Sequence, residues 1–321
     1  MQKFKKIGLI VLGVLIILLV VKDFFIKPIV TTVGSSVAGA PLKIKSLSTG
    51  FIGNKVWVKG IKLYNPKGFP AEPMIDITEV GADLDLMALA TGKLHLPLVI
   101  MNLHEMTIIK NKEGVMNVEA LKVTQAAEEK KEEPKDTKEK SKPVKMKIDV
   151  MKLNIGQVIY KDYSKGEPPV VQVYDVALKD KTFKNITSPE QLATLVMMEA
   201  MGPTAIKSAK MYAAATILGV GFLPAGVAGL FIGKDDATAD FKMSVDRVYD
   251  ASLKLVQTLG ELKSDDRSKG TIQAKVNGND VTILIAKGDH GTKVIVSARK
   301  MMMPRAEAAG GILRQLTEAL K

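Results

Sequence analysis

The chain has 321 residues, of which 46% are hydrophobic and 25% are charged, so it has enough apolar side chains for more than one folded core. It contains no Cys, which excludes disulfides, thiolate metal sites and Cys nucleophiles. The net charge of +12 suits anionic lipid headgroups as well as nucleic acid. Only 5% of the residues are aromatic, which argues against the stacking surface that nucleic acid requires, and we predict no nucleic-acid partner.

The N-terminus has the pattern of a membrane anchor. A lysine-rich stretch at 1–6 precedes an uncharged run at 7–21. A cleaved signal peptide needs small residues directly after such a run, and the nearest candidate, at 38–40, lies too far downstream. We therefore predict an uncleaved transmembrane helix at 1–27. The leading lysines favour a cytoplasmic N-terminus, which places the bulk of the chain outside the cytoplasm.

The next region, 28–123, is predicted to be rich in β-strands. Apolar residues from Val80 to Leu86 alternate with polar ones, which indicates a strand with one dry and one wet face. The run at 94–101 is apolar on both faces, so its second face needs a cover. The alternating apolar set consists of Val80, Ala82, Leu84, Leu86, Leu94, Leu96, Leu98 and Ile100.

A charged segment separates this region from a second one that is rich in strands. Residues 128–142 hold six acids and six bases, typical of a solvated linker, and we assign 124–145 to it. Strands resume in 146–188. Ser188 followed by Pro189 then predicts the start of a helix.

Residues 189–236 form a helical and apolar segment. Within it, the uncharged run at 211–233 is long enough to span a membrane, but five glycines and Pro224 argue against one straight helix. Three structures fit this run: a helical hairpin that dips into a bilayer, a true span, or a buried segment packed on the sheet.

Residues 237–321 have the pattern of a small α+β domain. A helix is predicted at 245–259, with Ser244 as its N-cap and Gly260 as its C-cap. The other predicted elements are strands at 271–276, 281–286 and 292–298 and a helix at 304–320.

The sequence carries no motif for catalysis or for a cofactor. No nucleophile elbow, P-loop or dinucleotide-binding fingerprint is found. The three histidines, His95, His104 and His290, are too few and too scattered for a zinc site. We therefore predict a protein that is not an enzyme, with no cofactor and no metal.

Several stretches resemble a known family. They include Gly50-Phe51-Ile52-Gly53-Asn54, Tyr64-Asn65-Pro66-Lys67-Gly68-Phe69 and Val80-Gly81-Ala82-Asp83-Leu84. With the N-terminal anchor, they resemble the AsmA-like family of Gram-negative envelope proteins over residues 1–200. The C-terminal part resembles a small periplasmic lipoprotein-type domain of unknown function.

The resemblance implies an inner-membrane anchor that carries a periplasmic antiparallel β-groove, in which apolar side chains contact acyl tails. The eight alternating residues given above are the candidate groove lining. The expected partners are membrane phospholipid and the inner membrane, with other envelope proteins or a second copy as further candidates. The expected function is to bind or transfer lipids or to maintain the outer membrane. The alternative is an envelope scaffold whose C-terminal domain docks a partner.

The overall prediction is an α+β protein. It comprises an N-terminal transmembrane helix, the antiparallel β-groove, an apolar helical hairpin and a small C-terminal α+β domain.

Overall fold

The computed structural model describes residues 31, 35, 38–49, 54–122, 146–220, 236–289, 291–301 and 303–321. The predicted transmembrane helix at 1–27, the linker at 124–145 and most of the apolar run at 211–233 lie outside these residues. Among the helices of the described ranges, none has both the length and the apolar composition needed to cross a membrane.

A six-stranded sheet joins the two strand-rich regions of the sequence. Its strands, in their order across the sheet, are β1 (Leu42–Thr49), β2 (Lys55–Tyr64), β3 (Pro73–Asp83), β4 (Leu94–Lys110), β5 (Met146–Asp162) and β6 (Val170–Ile186). Neighbouring strands pair antiparallel except β4 and β5, which run parallel. The prediction of an antiparallel groove is therefore wrong at the centre of the sheet. The reason is that residues 111–145 are long enough to return the chain from the end of β4 to the same end at which β4 began.

Helices cover part of this first sheet. They are α1 (Leu86–Ala90), α2 (Pro189–Met201) and α3 (Ala209–Ile217), with a 3-10 turn at Asn117–Ala120. The predicted helix start is confirmed, because the Ser188 hydroxyl accepts a hydrogen bond from the Gln191 amide at 3.1 Å and Pro189 follows it. The buried methionines of α2 pack in the same core as the apolar residues of β5.

A second sheet forms the C-terminal α+β domain. Its elements are β7 (Asp236–Phe241), α4 (Val245–Leu259), β8 (Gly260–Asp266), β9 (Thr271–Val276), β10 (Asn279–Gly288), β11 (Gly291–Lys300), β12 (Met303–Pro304) and α5 (Ala306–Ala319). The strand order is β12-β11-β10-β9-β8, with β7 paired to β11. The predicted helix at 245–259 is confirmed in both of its bounds.

Helix α5 joins the two sheets. It packs on β6, and two glycines permit the close approach: a Cβ at Gly311 would overlap the carbonyl oxygen of Val171, and one at Gly310 would lie 3.1 Å from the Val173 side chain. The C-terminal domain therefore docks on the first sheet through a helix face without side chains at the closest point.

Candidate functional site

Strand pairing aligns apolar side chains in rows across the first sheet. One row, on β2 to β6, consists of Val56, Ala82, Val99, Met151 and Phe183. The next row, on β1 to β5, consists of Leu47, Val58, Val80, Met101 and Leu153. Because paired residues project to the same face of a sheet, the two rows form one apolar surface, which we call the apolar strip.

Burial varies along the apolar strip: Leu47 on β1 is buried, and Phe183 on β6 is half-buried. On β4 and β5, Val99 is 3% exposed and Met151 is fully buried in the core that α2 also enters. On β2 and β3, the side chains of Val56, Val58 and Val80 are only half-buried. This part of the strip keeps apolar surface in contact with water. Covering that surface would release about 25 cal/mol per Å².

The eight residues predicted to line a groove do not all lie on this face. Val80, Ala82 and Leu96 pack against the core of the first sheet. Ile100 pairs with Gly81, which adjoins Val80, and therefore projects to the opposite face.

The remaining four predicted residues are placed at one end of the sheet. Leu98 alternates with the buried Val99 and so projects to the same side as Ile100. Leu84 and Leu94 are half-buried near the ends of their strands. Leu86 lies on α1 and is 57% exposed.

The opposite face of the first sheet carries polar pairs between its apolar residues. Lys59 and Glu79 form an ion pair at 3.1 Å, and the Asn154 side-chain amide donates to the Asn102 side-chain oxygen at 2.8 Å. These residues are direct partners across neighbouring strands, so the polar pairs form ladders across the sheet. The two faces therefore differ, because polar pairs separate the apolar residues of the opposite face, such as Leu98 and Ile100, whereas the strip is formed by two adjacent apolar rows.

A histidine held between two carboxylates lies at the end of the sheet that carries α1. One oxygen of Asp85 accepts hydrogen bonds from the amides of Met87 and Ala88, both at 3.0 Å, and the other lies 2.9 Å from His95 Nδ1. His95 Nε2 lies 2.7 Å from a carboxylate oxygen of Asp149. The hydrogen bonds to Asp85 and Asp149 raise the pKa of His95 above its ordinary value, which favours the charged imidazolium.

Sequence reasoning missed this cluster because Asp149 lies 54 residues from His95. The Asp85 carboxylate is stabilised in its charged form, since the hydrogen bonds from the Ala88 amide and from His95 lower its pKa. The arrangement ties the start of α1 to β5. Among the described residues, no group of three or more His, Asp or Glu side chains is arranged to hold a metal ion.

A second charged cluster joins the polar face to α5. The Arg314 guanidinium donates to both oxygens of Glu105, at 2.8 and 3.1 Å, and the Gln157 amide donates to the same carboxylate at 2.7 Å. Burial alone would raise the pKa of Glu105, but the hydrogen bonds and charge of Arg314 and the hydrogen bond from Gln157 together outweigh it and lower that pKa. A cavity of about 880 Å³ beside this cluster is lined by Gln157, Arg314 and His104, among others.

The fold and the apolar strip define a class of protein. It is an α+β protein whose N-terminal sheet leaves part of an apolar face open and whose C-terminal α+β domain docks on the last strand of that sheet. The sequence profile of the AsmA family matches residues 1–281, and the chain belongs to the AsmA family. The match extends beyond the resemblance seen over 1–200 and into the second sheet. No curated protein and no solved structure matches the chain. Membership of this family is consistent with an envelope-associated role.

Proposed function

We propose that this protein is anchored in the inner membrane and binds or transfers lipids, whose acyl tails lie on the apolar strip. One observation carries the proposal: Val56, Val58 and Val80 are half-buried although they belong to rows that are closed further along the sheet. In an ordinary core, a second layer would cover all of the residues in such rows. Membership of the AsmA family supports an envelope location for this activity.

The open part of the strip suits an acyl tail. Each methylene group removed from water contributes about 0.8 kcal/mol, so a tail gains affinity from a continuous dry surface without a deep pocket. The charged side chains of the same strands, such as Lys59 and Glu79, lie on the opposite face and leave the strip free of charge. The lipid headgroup would remain in water beside the sheet.

The chain segments next to the two apolar runs, 7–21 and 211–233, lie at one end of the sheet. This position supports attachment of the sheet to a membrane at that end. We call the end where β1 begins and β4 and β5 finish the entry end. Ala38 and Ala40, which follow the predicted anchor, pack in the same core as Val220, the last described residue before 221–235. Ser208, just before α3, donates to Glu119 of the 3-10 turn that follows β4. Both apolar runs of the sequence therefore connect to the entry end.

The test is to measure lipid bound to the full chain. The protein is purified in mild detergent and washed, and the retained lipid is identified by mass spectrometry. The double substitution Val58→Asn and Val80→Asn makes the open strip polar. The matched control is Leu284→Asn, which changes a partly exposed apolar residue on a strand of the second sheet.

We expect the native chain and the Leu284→Asn control to retain phospholipid, and the double variant to lose most of it. Equal lipid in all three proteins, or none in the native chain, would refute lipid binding on the strip. Either result would favour the scaffold alternative, in which the C-terminal domain docks another envelope protein.

A further inference from the structure

We infer that the turn between β11 and β12 contacts the surface of an anionic lipid bilayer at the entry end of the molecule. Met301 is 84% exposed and Met303 is 65% exposed, although methionine is an apolar residue. Arg299, Lys300 and Arg305 surround them, and the sequence from 299 to 305 contains no acid. A basic segment with apolar side chains at its tip matches the charged surface and apolar interior of a bilayer.

The turn lies at the same end of the molecule as the chain that follows the predicted anchor. Lys300 and Arg305 line a cavity of about 160 Å³ together with Asp162, Lys165 and Val170. The last three belong to the end of β5, the start of β6 and the loop between them, which lie at the entry end. A bilayer that holds the predicted anchor would therefore lie next to this turn, at the entry end.

The charges that face the turn leave it basic. Arg305 forms an ion pair with Glu307 at 2.5 Å, and Asp280 is the cross-strand partner of Arg299. Asp162 is engaged by Ser164, whose hydroxyl and amide both donate to one carboxylate oxygen. Lys300 and the nearby Lys165 add positive charge that these acids do not balance.

Exposed apolar residues also occur at the far end of the first sheet, and their position relative to the predicted anchor separates the two places. On α1, Met87 is 80% exposed. The segment around α1, from 83 to 93, contains two acids, Asp83 and Asp85, and one base, Lys93. An anionic surface attracts bases and repels acids over about 10 Å. The Met301 turn lies in a segment without acids at the end that carries the chain after the predicted anchor, so it is the surface that we expect to contact the bilayer, and Met87 at the far end is the control.

This inference rests on the membrane attachment in the proposed function and does not require lipid on the apolar strip. Because the chain has no Cys, single cysteines can be labelled cleanly. Met301→Cys and Met87→Cys are each labelled with a polarity-sensitive fluorophore, and the full chain is reconstituted into nanodiscs. One set of discs contains phosphatidylglycerol and the other only phosphatidylcholine. A membrane-depth quencher on the lipid reports contact.

We expect blue-shifted and quenched emission at position 301 in the phosphatidylglycerol discs, and little change at position 87. Lys300→Gln should weaken the contact about fivefold, because one cation near an anionic surface contributes roughly that factor. Three results would overturn the inference: no quenching at 301, equal quenching in both kinds of disc, or stronger quenching at 87.

The outcomes separate this inference from the proposed function. Lipid retained by the native chain with no quenching at 301 would refute the membrane contact alone. Quenching at 301 with no lipid retained on the strip would refute the lipid-binding role alone. Failure of the full chain to enter the discs would refute the membrane attachment on which both depend.

Discussion

The two sheets of this protein bury their apolar faces to different extents. In the second sheet, Ile272, Ile283, Val294 and Val296 are all fully buried in a core shared with α4 and α5. In the apolar strip of the first sheet, Val99 and Met151 on β4 and β5 are buried, whereas Val56, Val58 and Val80 on β2 and β3 are half-buried. The second sheet therefore buries these core residues completely, whereas the first sheet retains exposed apolar surface that a ligand could cover. Five predictions test this comparison.

The largest effect is expected for a core residue of the second sheet. Ile283→Ala should cost about 3 kcal/mol, because a fully buried side chain leaves a cavity. The matched change Val58→Ala in the open strip should cost about 1 kcal/mol or less, since water or lipid already replaces part of its packing. Hydrogen exchange of the amides of β10 and β2 in the full chain measures both. Equal costs would show that the strip is a closed core.

The ion pair between Glu105 and Arg314 should contribute the next largest effect. Arg314→Ala leaves a partly buried carboxylate without its main partner, which should cost about 2 kcal/mol for opening the contact between α5 and the sheet. The control is Arg267→Ala, which removes a more exposed arginine from its ion pairs with Asp246 and Asp250 on α4; it should cost little, and exchange of the α4 amides reports it. Hydrogen exchange of α5 amides is the measurement.

The same pair predicts a pH dependence. Because the folded-state pKa of Glu105 is lowered, its stabilising contribution is present above the unfolded value of 4.5 and is lost as the pH falls through the folded pKa. Acidification should therefore loosen α5 in the native chain more than in the Arg314→Ala variant. An identical acid response in both proteins would contradict the assignment.

A smaller effect is expected at Trp57, the single tryptophan, on the face of the first sheet opposite the apolar strip. A Cβ at Gly81 would overlap the Trp57 indole. Gly81→Ala should displace the ring, shift its fluorescence emission and cost about 1 kcal/mol. Gly288→Ala in the second sheet, where the nearest atoms to the new Cβ lie 3.4 Å away, is the control and should leave the emission unchanged. Unchanged emission in Gly81→Ala would show that the ring packs elsewhere.

The smallest effect is expected for His95, which is partly exposed. Its pKa is raised by Asp85 and Asp149, so the contact stabilises the fold below the ordinary value of 6.5 and is lost as the pH rises through the folded pKa. The protection of the amides at the start of α1, measured relative to their intrinsic exchange rates at each pH, should fall over that range. The His95→Gln variant should lack this pH dependence, and His104→Gln should retain it. If NMR shows that the His95 imidazole titrates at or below 6.5, its proposed stabilisation by Asp85 and Asp149 is wrong.

Elements with strong local signals were predictable from the sequence. The bounds of α4 follow from the Ser244 cap and the stop at Gly260, and the structure has the helix at Val245–Leu259. The strand predicted at 271–276 is also found at Thr271–Val276. Capping and alternation depend on neighbours a few residues apart, so the chain specifies them without its tertiary structure.

The face of each groove residue was not predictable in the same way. Residues 98 to 101 are all apolar, so alternation could not decide whether Leu98 or Val99 faces the core. The pairing of Ala82 with Val99 decides it. The direction of β5 was equally hidden, because a strand with one apolar and one polar face has the same alternating pattern beside a parallel or an antiparallel neighbour.

Local patterns and motifs in the sequence were enough for the mixed strand and helix content, the bounds of α4 and β9, and the resemblance to the AsmA family. Only the tertiary structure decided which apolar residues share the open strip and which charges meet, such as Glu105 and Arg314, which are 209 residues apart. The physical reason is that strand register and helix docking are set by packing between distant segments, and a one-residue change of register exchanges the two faces of a strand.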